Sequence, residues 1–319
     1  MKSGVTLREG DKVIVAMPCY QSLHSVAESV TRRDVVPWLP EVKQQFVEGV
    51  DGNRGAQPLP VYHFDVERLK ELMYTDIGTD PVRMLILNFP HNPTGAVLSP
   101  SQMNDVVAMC RDLDCYLFND ELYRGLEHRG VPTLPPVASL YPERGISLGG
   151  CSKAFGLPGI RVGWLATKDE ALRKRILELK DYSSMCTSRP SEILATMALR
   201  NQRILLERSL DIIEAQKAAL REFVVTSGSA ESHLEWIEPE GGTCAFLEVN
   251  DVSNTDCHAT RLAREANLFV LPGNLFKLGS SKFDGTASTF QGLQEETEIQ
   301  RIRVTYGRKN TTELLKDWR

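Results

Sequence analysis

The feature of this sequence that most restricts its fold is a regular alternation of short apolar runs with stretches of helical periodicity. Apolar residues follow helical spacing over 21–31, and a second helical stretch begins at Ser99 and extends to about residue 113. Short strands that alternate with helices of this length are typical of α/β proteins with a mainly parallel sheet. The strands that we predict for this sheet cover residues 12–17, 83–87, 115–118, 145–149 and 161–166.

A different pattern follows in the C-terminal part of the chain. Residues 191–225 carry one continuous helical pattern, which predicts a single long helix that connects two domains. Beyond it, strand-like runs within 236–250, 268–271 and 302–306 predict a second, α+β unit.

Length and composition agree with this two-part organisation. At roughly 150 residues per domain, 319 residues suggest two domains with a sizeable core. We predict a large domain at 1–205 and a small C-terminal domain at 206–319. Hydrophobic residues make up 42% of the chain and charged residues 25%, which excludes collagen-like, disordered and disulfide-scaffold proteins.

Charge, apolar runs and cysteine usage indicate which partners and which cellular compartment we expect. The 37 Lys and Arg residues are outnumbered by 42 Asp and Glu residues, so nucleic acid is not an expected partner. No secretory signal and no apolar run long enough for a membrane span is found, so we expect no membrane partner. Seven cysteines without a Cys-x-x-Cys pair are typical of free thiols in a reducing compartment, which predicts a cytoplasmic protein with no metal site.

Three polar clusters follow the predicted strands and are the candidate functional residues. They are Asn92, Asp120 with Tyr123, and Ser152-Lys153 with Arg161. Ligands of open parallel sheets bind beyond the carboxyl ends of the strands. The sequence therefore predicts that the three clusters form one site.

Lys153 lies in a glycine-rich segment, residues 149–164, which indicates close approach of the backbone to a ligand. A lysine in such an apolar surround is expected to lose solvation, which lowers its pKa towards that of a nucleophile. Ser152 and Arg161 could donate to a phosphate, since a guanidinium group matches that geometry. The alternative is an ordinary surface lysine in a loop.

Together these motifs resemble those of the class I/II aminotransferases, the pyridoxal-phosphate (PLP) enzymes of fold type I. The similarity covers nearly all of residues 10–319. The family's motifs are matched, in order, by Asn92-Pro93-Thr94-Gly95, Asp120-Glu121-Leu122-Tyr123, Ser152-Lys153 with Gly159-Ile160-Arg161-Val162-Gly163, Pro239-Glu240-Gly241-Gly242, Pro272-Gly273 with Phe276, and Ile302-Arg303-Val304.

The resemblance implies catalytic roles for the central residues. Lys153 would form an aldimine with PLP and carry a proton between the substrate α-carbon and cofactor C4′. Asp120 would pair with the pyridine nitrogen and keep it protonated, so that the ring accepts electrons. Tyr123 and Asn92 would donate to the phenolic oxygen of the cofactor.

The resemblance also implies contacts for the outer groups of cofactor and substrate. Tyr20 would stack on the ring face, and Ser152 and Arg161 would hold the phosphate. Arg303 would bind the substrate α-carboxylate, which suits a planar guanidinium fork. Taken singly, these residues have simpler interpretations: a turn residue at Asn92, core aromatics at Tyr20 and Tyr123, a helix cap at Asp120 and an ion-paired arginine at Arg303.

The implied activity is transfer of an amino group between an L-amino acid and a 2-oxo acid by a homodimer. The same residues also serve elimination and cyclisation reactions, so a PLP-dependent lyase or cyclase is the alternative. Gly150 replaces a small hydroxyl residue that the family often has, and the large domain is expected to lack the family's N-terminal region with its phosphate-binding turn. A shortened relative with little or no activity is therefore a further alternative.

Overall fold

The computed structural model describes residues 6–45, 58–74, 80–227, 234–250, 252, 254–277 and 300–309. Its strands are β1 (Lys12–Ala16), β2 (Val36–Trp38), β3 (Glu41–Gln45), β4 (Leu59–His63), β5 (Val82–Leu87), β6 (Tyr116–Asp120), β7 (Gly145–Gly150), β8 (Gly163–Ala166), β9 (Leu234–Glu235), β10 (Cys244–Val249), β11 (Leu271–Pro272) and β12 (Arg301–Thr305). Its α-helices are α1 (Gln21–Thr31), α2 (Val66–Tyr74), α3 (Pro100–Asp112), α4 (Val137–Leu140), α5 (Glu170–Ser183), α6 (Arg189–Arg200), α7 (Gln202–Ser227) and α8 (Thr255–Glu265).

A six-stranded sheet with the order β2-β1-β5-β6-β7-β8 forms the larger half of the protein. Its first five strands are parallel, and β8 alone runs antiparallel to its neighbour β7. The inner strands are buried on both faces, as their continuous apolar runs require. This arrangement confirms the predicted mainly parallel sheet, and each of its five predicted strands is present to within about two residues.

The second sheet is antiparallel, with the order β11-β12-β10-β9. Apolar side chains of β10 and β12 pack with those of α7 and α8 in a separate core, which includes Ile213, Leu247, Leu262 and Ile302. The α+β unit predicted for this part of the chain is therefore present. The boundary between residues 205 and 206 falls inside α7 and stays a prediction.

The single long helix predicted over residues 191–225 is wrong, because α6 and α7 are separate helices that meet at Asn201. The Asn201 side chain donates from Nδ2 to the Met197 carbonyl at 2.8 Å, and its backbone N–H points to the Met197 and Ala198 carbonyls. Asparagine side chains compete with the helical hydrogen-bond pattern in this way. The apolar periodicity continues across the break, which is why the sequence pattern did not reveal it.

Within the described residues, no helix combines the length and the apolar character that crossing a membrane requires.

Gly145 begins β7 at a point where the chain leaves no space for a side chain. A Cβ there would collide with the Val137 carbonyl oxygen and lie 2.6 Å from that of Tyr141. Because backbone atoms cannot move aside, we expect Gly145→Ala to lower the free energy of unfolding by about 1–3 kcal/mol in urea denaturation. Gly159→Ala is the matched control, since a Cβ at Gly159 meets nothing within 4 Å. Equal stability of the two variants would contradict the prediction.

Candidate active site

The three predicted clusters lie at one edge of the six-stranded sheet. The parallel strands β5 and β6 end at Leu87 and Asp120, and β7 ends at Gly150. The segments that follow carry Asn92, Tyr123 and Lys153 out of the same edge. The prediction that these residues share a site thus follows from the parallel register of the strands.

Asn88 joins two of the clusters directly. Its side chain is 2% exposed and lies immediately after β5. Nδ2 donates to the Asp120 backbone oxygen at 2.9 Å, and Oδ1 accepts from the Asn92 backbone N–H at 3.0 Å. A single buried amide therefore fixes the spacing between the ends of β5 and β6, since both of its ends are satisfied.

Asp120 is a buried carboxyl at the end of β6. Burial raises its pKa to about 6, although the Leu122 N–H donates to Oδ1 at 3.1 Å and the nearby Lys153 opposes the shift. The carboxyl is therefore ionised at neutral pH with little compensation in its surroundings. Such a carboxylate is suited to accept a hydrogen bond from a cationic N–H group of a ligand.

Lys153 lies beside Tyr123, with 5.8 Å between its Nζ and the centroid of the tyrosine ring. Tyr123 is buried, and burial raises the pKa of its phenol while the charge of Arg303 opposes that rise. The side chain of Lys153 is exposed, so the predicted loss of its solvation is wrong. The small glycine and serine residues around it leave the amine open to solvent and to a ligand.

Arg303 reaches the same cleft from β12 in the second sheet. Its Nη1 donates to Oδ1 of Asn92 at 3.0 Å, and its guanidinium carbon lies 5.2 Å from the ring centroid of Phe276. The Nε atom is buried and has no hydrogen-bond partner among the described residues. The site is thus formed by both sheets, and its arginine retains an unsatisfied donor.

Among the described residues, three predicted site residues have no hydrogen bond or ion pair to this group: Tyr20, Ser152 and Arg161. Tyr20 is 56% exposed and precedes α1, and Ser152 is half-buried. Arg161 is exposed and donates from Nη1 to the Pro158 carbonyl at 3.1 Å. Their roles in holding a cofactor ring and a phosphate stay predictions.

Two residues of the site, Asn88 and Cys244, are not among those predicted from the sequence. Asn88 could have been found, because it is the first polar residue after a buried strand. Cys244 at the start of β10 is buried, and its Sγ lies 3.8 Å from Asn92 Oδ1 and 3.5 Å from the Pro93 carbonyl oxygen. Nothing in its sequence context distinguishes Cys244 from a core residue.

In the described part of the chain, no group of three or more His, Cys, Asp or Glu side chains could hold a metal ion.

Comparison with known proteins identifies what this arrangement resembles. The family model described as aminotransferase class I and II matches residues 4–286. Among curated relatives, capreomycidine synthase of Streptomyces vinaceus is 26% identical over 266 residues, which are 83% of this chain and 61% of the relative. Aromatic-amino-acid aminotransferase 2 of Thermococcus litoralis is 29% identical over 229 residues, which are 70% of this chain and 57% of the relative. The chain thus spans about three fifths of the length of these relatives.

Solved structures resemble the whole described fold. N-succinyldiaminopimelate aminotransferase from Mycobacterium tuberculosis gives a TM-score of 0.76 at 19% identity, over 98% of this chain and 72% of the other. A PLP-dependent aminotransferase from Streptococcus suis gives 0.74 at 23% identity, over 98% of this chain and 70% of the other. These matches confirm the predicted fold, that of the type I PLP-dependent transferases.

The raised pKa of Asp120 has a consequence for the stability of the cofactor-free chain. Its folded-state value of about 6 lies above the ordinary 3.8, so the folded protein loses stability as pH rises through 6. We expect Asp120→Asn, which cannot ionise, to raise the free energy of unfolding by up to about 3 kcal/mol near pH 8 and to have no such effect below about pH 4.

Urea denaturation at several pH values measures this difference. Asp105→Asn, at an exposed carboxylate on α3, is the control and should show no comparable pH-dependent gain. A gain for Asp120→Asn that is the same at pH 4 and pH 8 would rule out ionisation as its cause.

Proposed function

The chain belongs to aminotransferase class I and II, and we propose on that premise that it transfers an amino group between an L-amino acid and a 2-oxo acid. Pyridoxal 5′-phosphate is the cofactor that follows from membership of this family. The observation that carries the proposal is the approach of Lys153, Tyr123, Asp120 and Asn92 to one another at the sheet edge, with Arg303 opposite.

The chemistry of these side chains fits PLP. Asp120 is a buried carboxylate with little compensation, and a protonated ring nitrogen would satisfy it. Asn92 uses Oδ1 for Arg303, which leaves its Nδ2 donors for the phenolic oxygen. Lys153 presents an exposed amine that can bond to the aldehyde carbon. When bound, PLP supplies the electron sink that makes the α-proton of an amino acid labile.

The remaining work belongs to side chains of this protein. The amine of Lys153 would act as the base that takes the α-proton of the substrate, and it would return that proton at cofactor C4′. The phenol of Tyr123 would donate to the phenolic oxygen beside Asn92. Tyr20 would cover the ring face, and Ser152 and Arg161 would donate to the phosphate after the Arg161 side chain leaves the Pro158 carbonyl.

Arg303 would bind the α-carboxylate of the substrate. Its Nε, which has no partner within the described ranges, supports this role, because a buried guanidinium donor without an acceptor is costly until an anion satisfies it. Its hydrogen bond to Asn92 would also tie carboxylate binding to the group that contacts the phenolic oxygen of PLP.

A PLP-dependent lyase or cyclase is the second candidate. The observation that favours it is the match to a relative named capreomycidine synthase. Both candidates use the same Lys153 chemistry and differ in the product that leaves the site. A homodimer and a cytoplasmic location stay predictions from the resemblance.

The decisive experiment adds PLP to the purified chain and asks whether Lys153 binds it. We expect a new absorbance band at the edge of the visible range, and borohydride reduction should fix the cofactor to the peptide that contains Lys153, as read by mass spectrometry. Lys153→Ala should lose both signals, because the amine is gone. Lys168→Ala, which removes an exposed lysine beyond β8, should keep them.

A panel of amino acids and 2-oxo acids then distinguishes the two candidates. Appearance of a new amino acid from the oxo acid supports amino transfer, and release of ammonia or a cyclised product supports the alternative. Absence of the band, or a band that survives Lys153→Ala, would refute both.

The carboxylate role of Arg303 predicts a specific kinetic change. Arg303→Lys keeps the charge but loses the two-donor fork, so the KM for the amino acid should rise about tenfold or more. Arg301→Lys is the matched control on the same strand, two residues away, where Arg301 pairs with Glu248. A similar rise of KM in both variants would show that the effect is not specific to Arg303.

A further inference from the structure

A cluster of buried polar side chains lies where α7, the loop after β6 and the segments before β10 and after β12 meet, outside the residues described above. We call His128, Lys217, Glu238 and Tyr306 the His128 cluster. Their exposed fractions are 3%, 8%, 1% and 0%. Burial of charged groups between apolar cores is costly unless each one is paired, so the cluster requires an explanation beyond packing.

The charged members form ion pairs, although Glu238 Oε1 has no hydrogen-bond partner among the described residues. Lys217 Nζ lies 3.1 Å from Glu238 Oε1, and Arg221 Nε lies 3.6 Å from Glu238 Oε2. Trp236 donates from Nε1 to Glu238 Oε2 at 2.6 Å. Lys217 Nζ is also 3.1 Å from Nδ1 of His128. Lys217 on α7 is therefore held by Glu238, which precedes β10, and it contacts the imidazole ring at Nδ1.

His128 in turn holds the turn formed by residues 239–242. Its backbone N–H donates to the Glu240 carbonyl at 2.8 Å, and its ring atoms Nδ1 and Nε2 lie 2.8 and 3.2 Å from the carbonyl oxygens of Pro239 and Gly242. Burial and the charge of Lys217 lower the pKa of His128 to about 3, so the ring is neutral. Either tautomer of a neutral ring leaves one N–H donating to this turn.

The turn and Thr243, the residue directly after it, contact the elements that carry three site residues. The backbone N–H groups of Glu240 and Gly241 both donate to the Gly95 carbonyl at 2.9 Å, three residues after Asn92. The Gly242 N–H donates to the Leu126 carbonyl at 2.9 Å, three residues after Tyr123. Tyr306, three residues after Arg303, donates its N–H to the Thr243 carbonyl at 2.9 Å.

The hydroxyl of Tyr306 completes the connection to His128. It lies 3.5 Å from Nε2 of the imidazole. Gly242 also lies against the tyrosine of the site, since a Cβ at Gly242 would be 3.8 Å from Cδ1 of Tyr123. The His128 cluster therefore touches the supports of Asn92, Tyr123 and Arg303 without touching the cleft itself.

We propose that His128, Lys217 and Glu238 are positioning residues that hold the 239–242 turn and thereby set the distance from Arg303 to Asn92 and Tyr123. This inference rests on the proposed function, in which Arg303 binds the substrate carboxylate. Loss of the cluster displaces Arg303 without changing its chemistry. Substrate binding weakens, whereas the steps at Lys153 keep their rate.

The test replaces His128 with leucine in the full-length chain loaded with PLP. With the amino acid of the panel that the wild-type chain converts fastest, KM should rise roughly tenfold while kcat changes less than about twofold. His128→Gln, which returns an amide donor to the turn, should restore most of the KM. Equal losses in KM and kcat, or no change in either, would overturn the proposal.

Tyr141→Phe is the matched control, because it removes a buried polar group that lies away from the His128 cluster. The Tyr141 hydroxyl donates to the carbonyls of Cys110 and Cys115 at 3.2 and 3.1 Å, near the opposite ends of β6 and β7. This variant should lose stability and keep its KM. If it raises KM as His128→Leu does, the effect on binding is a general consequence of destabilisation and the proposal is wrong.

Amide hydrogen exchange tests the cluster without any catalytic readout. In the chain without PLP, His128→Leu should speed exchange at Glu240, Gly241 and Gly242 by about tenfold or more, and Tyr141→Phe should not. If His128→Leu does not fold, Tyr306→Phe removes only the hydroxyl and should give smaller changes in the same direction. Unchanged exchange in the folded variant would overturn the positioning role. A wild-type chain that binds no PLP would refute the proposed function but would leave this exchange test valid.

Discussion

The parallel alignment of β5, β6 and β7 is the constraint on which the rest of the site depends. Strands that end at the same edge carry their following residues into one place, and the buried amide of Asn88 then fixes the spacing between β5 and β6. This one side chain links the backbone of Asp120 to that of Asn92. Arg303 comes from a different sheet, so it needs a separate connection, which its hydrogen bond to Asn92 and the contact between Tyr306 and Thr243, directly after the 239–242 turn, provide.

Two groups in this cleft are poorly satisfied by the protein alone. The carboxylate of Asp120 is buried with little compensation, and Arg303 Nε has no partner among the described residues. Buried groups of this kind lower the stability of the folded chain, and they persist where a ligand satisfies them. Their charges are opposite, and they lie on different sheets. The Asp120 carboxylate would suit a cationic ring nitrogen, and the Arg303 guanidinium group would suit an anionic carboxylate.

Sequence patterns predicted the parts of the structure that depend on local periodicity and strand ends. The strands of the parallel sheet, the helix at α3 and the meeting of Asp120, Tyr123 and Lys153 followed from apolar runs and the polar residues after them. The break at Asn201 escaped because the apolar spacing continues across it. The exposure of Lys153 and the connections of Asn88 and His128 depend on contacts between residues distant in sequence, which periodicity does not report.

Gly95 determines how the two halves of the protein meet. It adopts a φ of +72°, and a Cβ there would collide with Cβ of Pro239 and lie 3.0 Å from its Cα. The backbone of Gly95 therefore lies directly against Pro239, where a larger residue has no room. In a rotation of one sheet against the other, atoms nearest such a rigid contact move least. Asn92 lies three residues from this contact and therefore belongs to the part of the cleft that such a rotation would displace least.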